Sequence, residues 1–201
     1  MKHRVICIGR QFGSGGHEVG LKLSGRLGVS FYDRNLIDLA AEQGGIRMSR
    51  LKPVDEHLSN PWLYESLHET SQRSGRGLPP SDALFQLQSR IICEAARRED
   101  CVIVGRCGGW VLRQAGISCL SLFLCAPFDS RVARKMEQEQ LPEKQAANLV
   151  RRQDKHRKAY YDFYTGDSWG KPEHYDLCLN TAHLGIDGTE EFLSRFLLQT
   201  D

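Results

Sequence analysis

A chain of 201 residues, 40% hydrophobic and 26% charged, is long enough for one α/β domain with a full core. Its net charge of +2 argues against binding a nucleic-acid polymer, and no apolar run approaches the ~18 residues that a membrane span needs. Its seven cysteines, odd in number and without a C-x-x-C pair, argue against a disulfide framework or a zinc site and for reduced thiols packed as small hydrophobes.

Val5-Ile6-Cys7-Ile8 reads as a buried strand beginning close to Met1, so no signal peptide and a cytoplasmic location are expected. The strand runs into Gly9-Arg10-Gln11-Phe12-Gly13-Ser14-Gly15-Gly16-His17, after which Val19, Leu23 and Leu27 repeat at helical spacing. Strand, glycine turn and helix make the geometry of a phosphate cradle, with backbone N–H groups turned inward at a helix N-terminus. The pattern G-x-x-x-x-G-K-[ST] is met in part: with Gly15 as its second glycine, Arg10 stands at the first position, Gly16 at the lysine and His17 at the hydroxyl. A phosphate-binding loop and a plain tight turn both fit this stretch.

The first helix ends near Gly28, and Val29-Ser30-Phe31-Tyr32 is a short strand ending at Asp33. A second helical pattern runs from Asn35 to about Gln43, stopped by Gly44-Gly45. Residues 45–80 are irregular and carry Pro53, Pro61, Pro79 and Pro80, with a short helix expected over Pro61–Thr70 and a loop over Ser71–Pro80. This stretch reads as a surface insertion or as a segment covering a substrate. Ser81 is expected to cap a helix whose stripe is Leu84, Leu87, Ile91 and Ala95. Strands follow at Cys101–Val104, Cys119–Cys125 and Tyr175–Asn180, the first two separated by a brief helix. Thr189 is expected to cap a final helix with Phe192, Leu193, Phe196 and Leu197 inward.

Apolar strands alternating with amphipathic helices predict an α/β fold, a five-stranded parallel sheet with helices on both faces. Ligands of such sheets bind beyond the carboxyl ends of the strands. Those ends carry Arg10 and the glycine loop, Asp33, Arg106, Pro127 with Asp129, and Asn180 with Thr181.

Charge is concentrated in residues 131–158, which hold nine Lys/Arg against four acids, +5, and leave the remainder at −3. The cations lie on two expected helices broken near Leu141-Pro142. They read either as a solvated face or as a hinged lid whose arginines close on phosphates, since guanidinium binds phosphoryl oxygens bidentately and keeps its charge.

Several blocks together resemble the cytidylate kinase-like family, a branch of the P-loop nucleoside monophosphate kinases. They are Ile8 through Gly20, Phe31-Tyr32-Asp33-Arg34-Asn35-Leu36-Ile37, Val102 through Arg106 with Val111-Leu112, and a tail from Arg151 to Thr181. The tail includes Arg152, Asp154, Arg157, Tyr160-Tyr161, Tyr164-Thr165-Gly166 and Trp169-Gly170. The resemblance spans nearly the whole chain and leaves 45–80 unmatched.

It implies a three-layer P-loop kinase fold with strand order 2-3-1-4-5 and a helical lid. The single domain would divide into a core (1–33, 81–130 and 172–201), an acceptor-binding flap (34–80) and a lid (131–171). Gly13, Ser14, Gly15, Gly16, His17 and Arg10 would hold ATP phosphates, and Asp33 and Arg106 would face the acceptor. Arg131, Arg134, Arg152 and Arg157 would be the catalytic cations, supported by Arg151 and Asp154. Mg²⁺ would come with ATP, without a direct protein ligand, Ser14 reaching it through water. The implied partners are ATP and a small nucleotide, CMP or dCMP foremost, on a monomer or homodimer.

Cytidylate kinases keep the loop lysine and the hydroxyl after it, and their third block commonly continues Gly-Arg-Asp; here the residues are Gly16, His17 and Cys107. Two functions follow: a working kinase, favoured by the arginines, or a nucleotide-binding sensor or regulatory module, favoured by the missing lysine.

Overall fold

The computed structural model describes residues 4–33 and 80–199. The helices expected at 35–43 and 61–70, and the flap as a whole, lie outside the described residues. What is described is a five-stranded sheet in the order β2-β3-β1-β4-β5, every neighbouring pair parallel. Its strands are β1 (Val5–Arg10), β2 (Ser30–Tyr32), β3 (Cys101–Val104), β4 (Leu120–Cys125) and β5 (Leu177–Asn180). The helices are α1 (Gly16–Leu27), α2 (Pro80–Arg98), α3 (Gly108–Gln114), α4 (Phe128–Glu139), α5 (Glu143–Thr165) and α6 (Thr181–Gln199).

The strands are apolar at successive positions because alternate side chains serve two cores. Ile6 and Ile8 join Val102, Val104, Leu122 and Leu124 against α1 and α6, through Val19, Leu23, Leu193 and Leu197. Val5, Cys7, Cys101 and Ile103 face the other way, onto α2 and α3. Thiols in these runs behave as apolar groups: burial pushes Cys101 and Cys107 up to about 12. The edge strand β5 departs from expectation, since Cys178 and Asn180 are exposed. It also starts at Leu177 rather than Tyr175. The Asp176 carboxylate accepts from Ser121 N at 2.7 Å and Ser121 Oγ at 2.9 Å, occupying a ladder group with a side chain.

Two expected caps are corrected. The helix after the double proline already includes Pro80, so Ser81 sits in its first turn; proline suits that position, where its missing N–H costs nothing. Thr189 lies inside α6, fully buried, and its hydroxyl donates to Gly185 O at 2.5 Å. The cap is instead Asn180, whose Oδ1 accepts from Ala182 N at 3.0 Å, and Gly185 (φ 68°, ψ −178°) kinks the helix a turn later. Leu193 and Leu197 face inward as expected, but Phe192 is 45% exposed.

The basic segment forms α4 and α5, broken at Leu141-Pro142 and packed through Val132, Ala146 and Val150. Phe12 of the glycine loop joins this small core. The far end of α5 lies on α2, where Tyr164 stacks on Phe85 with ring centroids 4.1 Å apart.

Candidate active site

The carboxyl ends of the strands open into a cavity of about 940 Å³. On one side is the loop between β1 and α1. Gly13 (φ 81°) and Gly15 (φ 79°) hold left-handed conformations that turn the chain back onto the helix. Thr181 straps this loop from below, its hydroxyl donating to Ser14 O at 2.6 Å. Gln11 ties it to β4: its N–H donates to Leu124 O at 3.0 Å, and its Oε1 accepts from Ala126 N at 3.1 Å.

The tip of the loop is held by the basic segment. Phe12 N donates to Asp154 Oδ1 at 2.8 Å, while Phe12 O accepts from Arg131 Nη1 at 3.1 Å. Arg131 also donates to Ala126 O at 3.0 Å and pairs with Asp154. The cations of Lys135 and Arg157 stand 4.6 and 5.4 Å from the centre of the Phe12 ring.

Six of the charged or ring-bearing residues expected at the site converge on the cavity wall: Arg10 and His17 of the phosphate set, Asp33 and Arg106 of the acceptor set, and Arg152 and Arg157 of the expected catalytic cations. Gly13, Gly15, Gly16 and Arg134 are there too. Asp33 accepts from Arg10 Nη2 at 3.2 Å and lies 3.0 Å from His17 Nε2. Burial and then the nearby Arg106 cation pull the Arg10 guanidinium down against the opposing pull of Asp33. Burial, then the Arg10 cation, push Arg157 down to about 9. Among the described residues the wall carries the guanidiniums of Arg10, Arg106, Arg134, Arg152 and Arg157 against the carboxylates of Asp33 and Glu18, an environment that favours an incoming anion. Arg134 is engaged with Glu18 at 2.6 Å. Against the upward push of partial burial, that contact and Gln138 hold the Glu18 carboxylate below its ordinary range.

Four expected site residues are placed elsewhere. Ser14 is 2% exposed and its Oγ donates to Gln11 O at 2.9 Å, so its hydroxyl is turned from the cavity, and the water-mediated reach to a metal is corrected. Arg131 and Asp154 are spent on the loop tip. Arg131 therefore holds the loop tip and does not line the cavity. Arg151 is exposed, with its guanidinium 4.6 Å from the Phe128 ring centre.

Arg106 owes its place to strained backbone: Gly105, Arg106 and Cys107 follow one another at φ 87°, 55° and 55°. The residue pattern gave no signal of this turn beyond its glycine. Reading the sequence also missed Phe12 as the loop's anchor, although an aromatic inside a glycine-rich turn is a signal, and missed Trp110 and Tyr175 on the cavity wall.

Known proteins agree with this geometry. The chain is 36% identical over 96 residues to a cytidylate kinase of Thermococcus kodakarensis, spanning 47% of this chain and about half (48%) of that one. It is 25% identical over 195 residues to the cytidylate kinase of Ignicoccus hospitalis, covering 96% of this chain and 99% of the other. A solved structure of an uncharacterized protein from Eubacterium ventriosum superposes with a TM-score of 0.69 at 26% identity, covering 96% and 98% of the two chains. The sheet, with its order β2-β3-β1-β4-β5 and helices on both faces, is that of the P-loop kinase fold. The model of the cytidylate kinase-like family matches residues 5–183, a span that holds the strands, the glycine loop and the two basic helices described above, and the chain belongs to the cytidylate kinase-like family.

Proposed function

We propose that this protein transfers the γ-phosphoryl group of ATP to a nucleoside monophosphate, CMP or dCMP foremost. The observation that supports it is one cavity whose wall carries the glycine loop together with Asp33, Arg106, Arg152 and Arg157. Gly13 to Gly16 and the start of α1 would receive the ATP phosphates, and Arg106 the acceptor phosphate. Residues 131–171 would act as the lid and 34–80 as the acceptor flap. Rings of Trp110, Tyr160, Tyr161 and Tyr175 line the cavity and offer faces to a planar base.

Transfer needs an acceptor phosphate oxygen in line with the γ-phosphorus and the β–γ bridging oxygen. The protein's task is to position these groups and neutralise their charge. Mg²⁺ would enter with the ATP substrate and offset charge on its phosphates. Among the described residues no group of three His, Cys, Asp or Glu side chains is arranged to hold a metal.

The missing loop lysine favours the second reading, a nucleotide-binding sensor or regulatory module. Coupled ADP release with Mg²⁺-ATP and a panel of CMP, dCMP, UMP, AMP and GMP separates them. The kinase reading expects turnover, highest with CMP or dCMP; no turnover with any acceptor, beside measurable ATP binding, establishes the module.

A further inference from the structure

The lysine of a phosphate loop is missing from position seven, and a basic residue stands where the loop's first glycine belongs. In space these are one place. A Cβ built on Gly16 would lie 2.6 Å from Arg10 Cβ and 3.0 Å from Arg10 Cγ. No side chain beyond glycine fits at position 16 while Arg10 is present, and the volume from which a lysine would start is the volume the Arg10 stem fills. Gly16 is the first residue of α1 and its φ is not positive, so the backbone does not itself demand glycine. The demand comes from Arg10.

We propose that Arg10 supplies the phosphate-binding cation of this loop, its first and seventh positions having exchanged the small residue and the basic one. The inference rests on the reading of the loop as the ATP phosphate site.

The rest of the Arg10 side chain follows the cavity wall. Its Nη1 reaches the Gly105 turn, where a Cβ would be 2.1 Å away, and its Nη2 pairs with Asp33 at 3.2 Å. The guanidinium thus stands between the glycine loop and the residues at the acceptor end, where a phosphoryl group in transit would pass. Arg157 braces this stretch by donating from Nη1 to Arg10 O at 3.1 Å. A guanidinium offers more donors than an ammonium, so one part can hold Asp33 while another meets phosphate oxygens. In the transfer, a bond forms between the acceptor oxygen and the γ-phosphorus. The bond from that phosphorus to the β–γ bridging oxygen breaks, and its electron pair leaves with ADP. Arg10 exchanges no proton; it stays cationic and offsets charge on the oxygens.

The test exchanges the two positions deliberately, using the full chain. ATP affinity is measured by calorimetric titration, turnover by coupled ADP release, and folding by circular dichroism and melting temperature. Arg10→Gln, which keeps most of the packing, and Arg10→Gly are expected to weaken ATP binding by about tenfold or more and to lower turnover about a hundredfold. Gly16→Lys alone is expected to lose stability and ATP binding through collision with Arg10. The double variant Arg10→Gly/Gly16→Lys, which restores the usual order of the loop, is expected to bind ATP within about fivefold of the parent. Parental ATP affinity in Arg10→Gln overturns the proposal. So does a folded double variant that binds no more tightly than Arg10→Gly. A parent that binds ATP but transfers nothing defeats the kinase reading alone, and the titrations still decide the role of Arg10. A parent that binds no ATP defeats both.

Discussion

Asp154 and Phe12, separated by 142 residues of sequence, are joined by a hydrogen bond of 2.8 Å from the Phe12 amide to the Asp154 carboxylate. Arg131 completes the clamp by pairing with Asp154 and donating to the Phe12 carbonyl. Both backbone groups of one loop residue are therefore held by the two basic helices. The position of α4 and α5 and the shape of the glycine loop are coupled through this residue, so anything that moves the helices reaches the loop.

Asp154→Ala leaves the buried Arg131 guanidinium without its carboxylate and the Phe12 amide without its acceptor. Breaking a buried pair in this way costs about 3 kcal/mol. Denaturant unfolding should show that loss, together with weaker ATP binding. Unchanged stability and unchanged ATP affinity would show that the clamp does not hold the loop.

Arg152 and Arg157 should behave differently, although the sequence treats them alike. Arg152 is exposed on the cavity wall, whereas Arg157 is largely enclosed and donates to Arg10 O. Arg152→Ala should lower kcat about a hundredfold with ATP affinity nearly intact, as expected of a contact made only in the transition state. Arg157→Ala should lower kcat and also weaken ATP binding, because the loop loses a brace. Steady-state kinetics with parallel ATP titration separates the two patterns. Parental kcat in Arg152→Ala would return that residue to a solvated surface arginine, which contributes little.

Arg106→Ala should raise the acceptor KM at least tenfold while leaving the ATP KM within about threefold. Because the residue sits at φ 55°, Arg106→Gly should be more stable than Arg106→Ala by about 1 kcal/mol, the approximate cost of a left-handed conformation to a residue with a Cβ. Kinetics and thermal unfolding of the pair check both statements. Equal rises in the two KM values would assign Arg106 a general structural role.

Gly15→Val should abolish ATP binding, for two physical reasons. The residue is at φ 79°, and its Cβ would be 2.9 Å from Ile186 Cδ1, so the side chain would press on α6 while straining the turn. Titration of ATP into the variant is the measurement, and parental affinity would rule out the loop as the phosphate site.

The sequence by itself determined the sheet and its helices, because strand and helix periodicities are local. Val5–Ile8, Cys101–Val104 and Leu120–Cys125 could hardly be other than buried strands when each is bounded by an amphipathic helix. It also placed Arg10, Asp33 and Arg106 at strand ends, and parallel topology brings such ends to one edge. Residue type did not determine which cation does what. Arg131 and Arg152 are chemically identical, and only packing buries the first against Phe12 and leaves the second on the cavity wall. The missing lysine read as a gap because a pattern compares positions along the chain. Tertiary structure compares positions in space, and there the Arg10 stem fills the volume that a side chain on Gly16 would need. Close packing lets only one of the two residues be large, and that constraint is invisible until the strand end and the helix start are folded against each other.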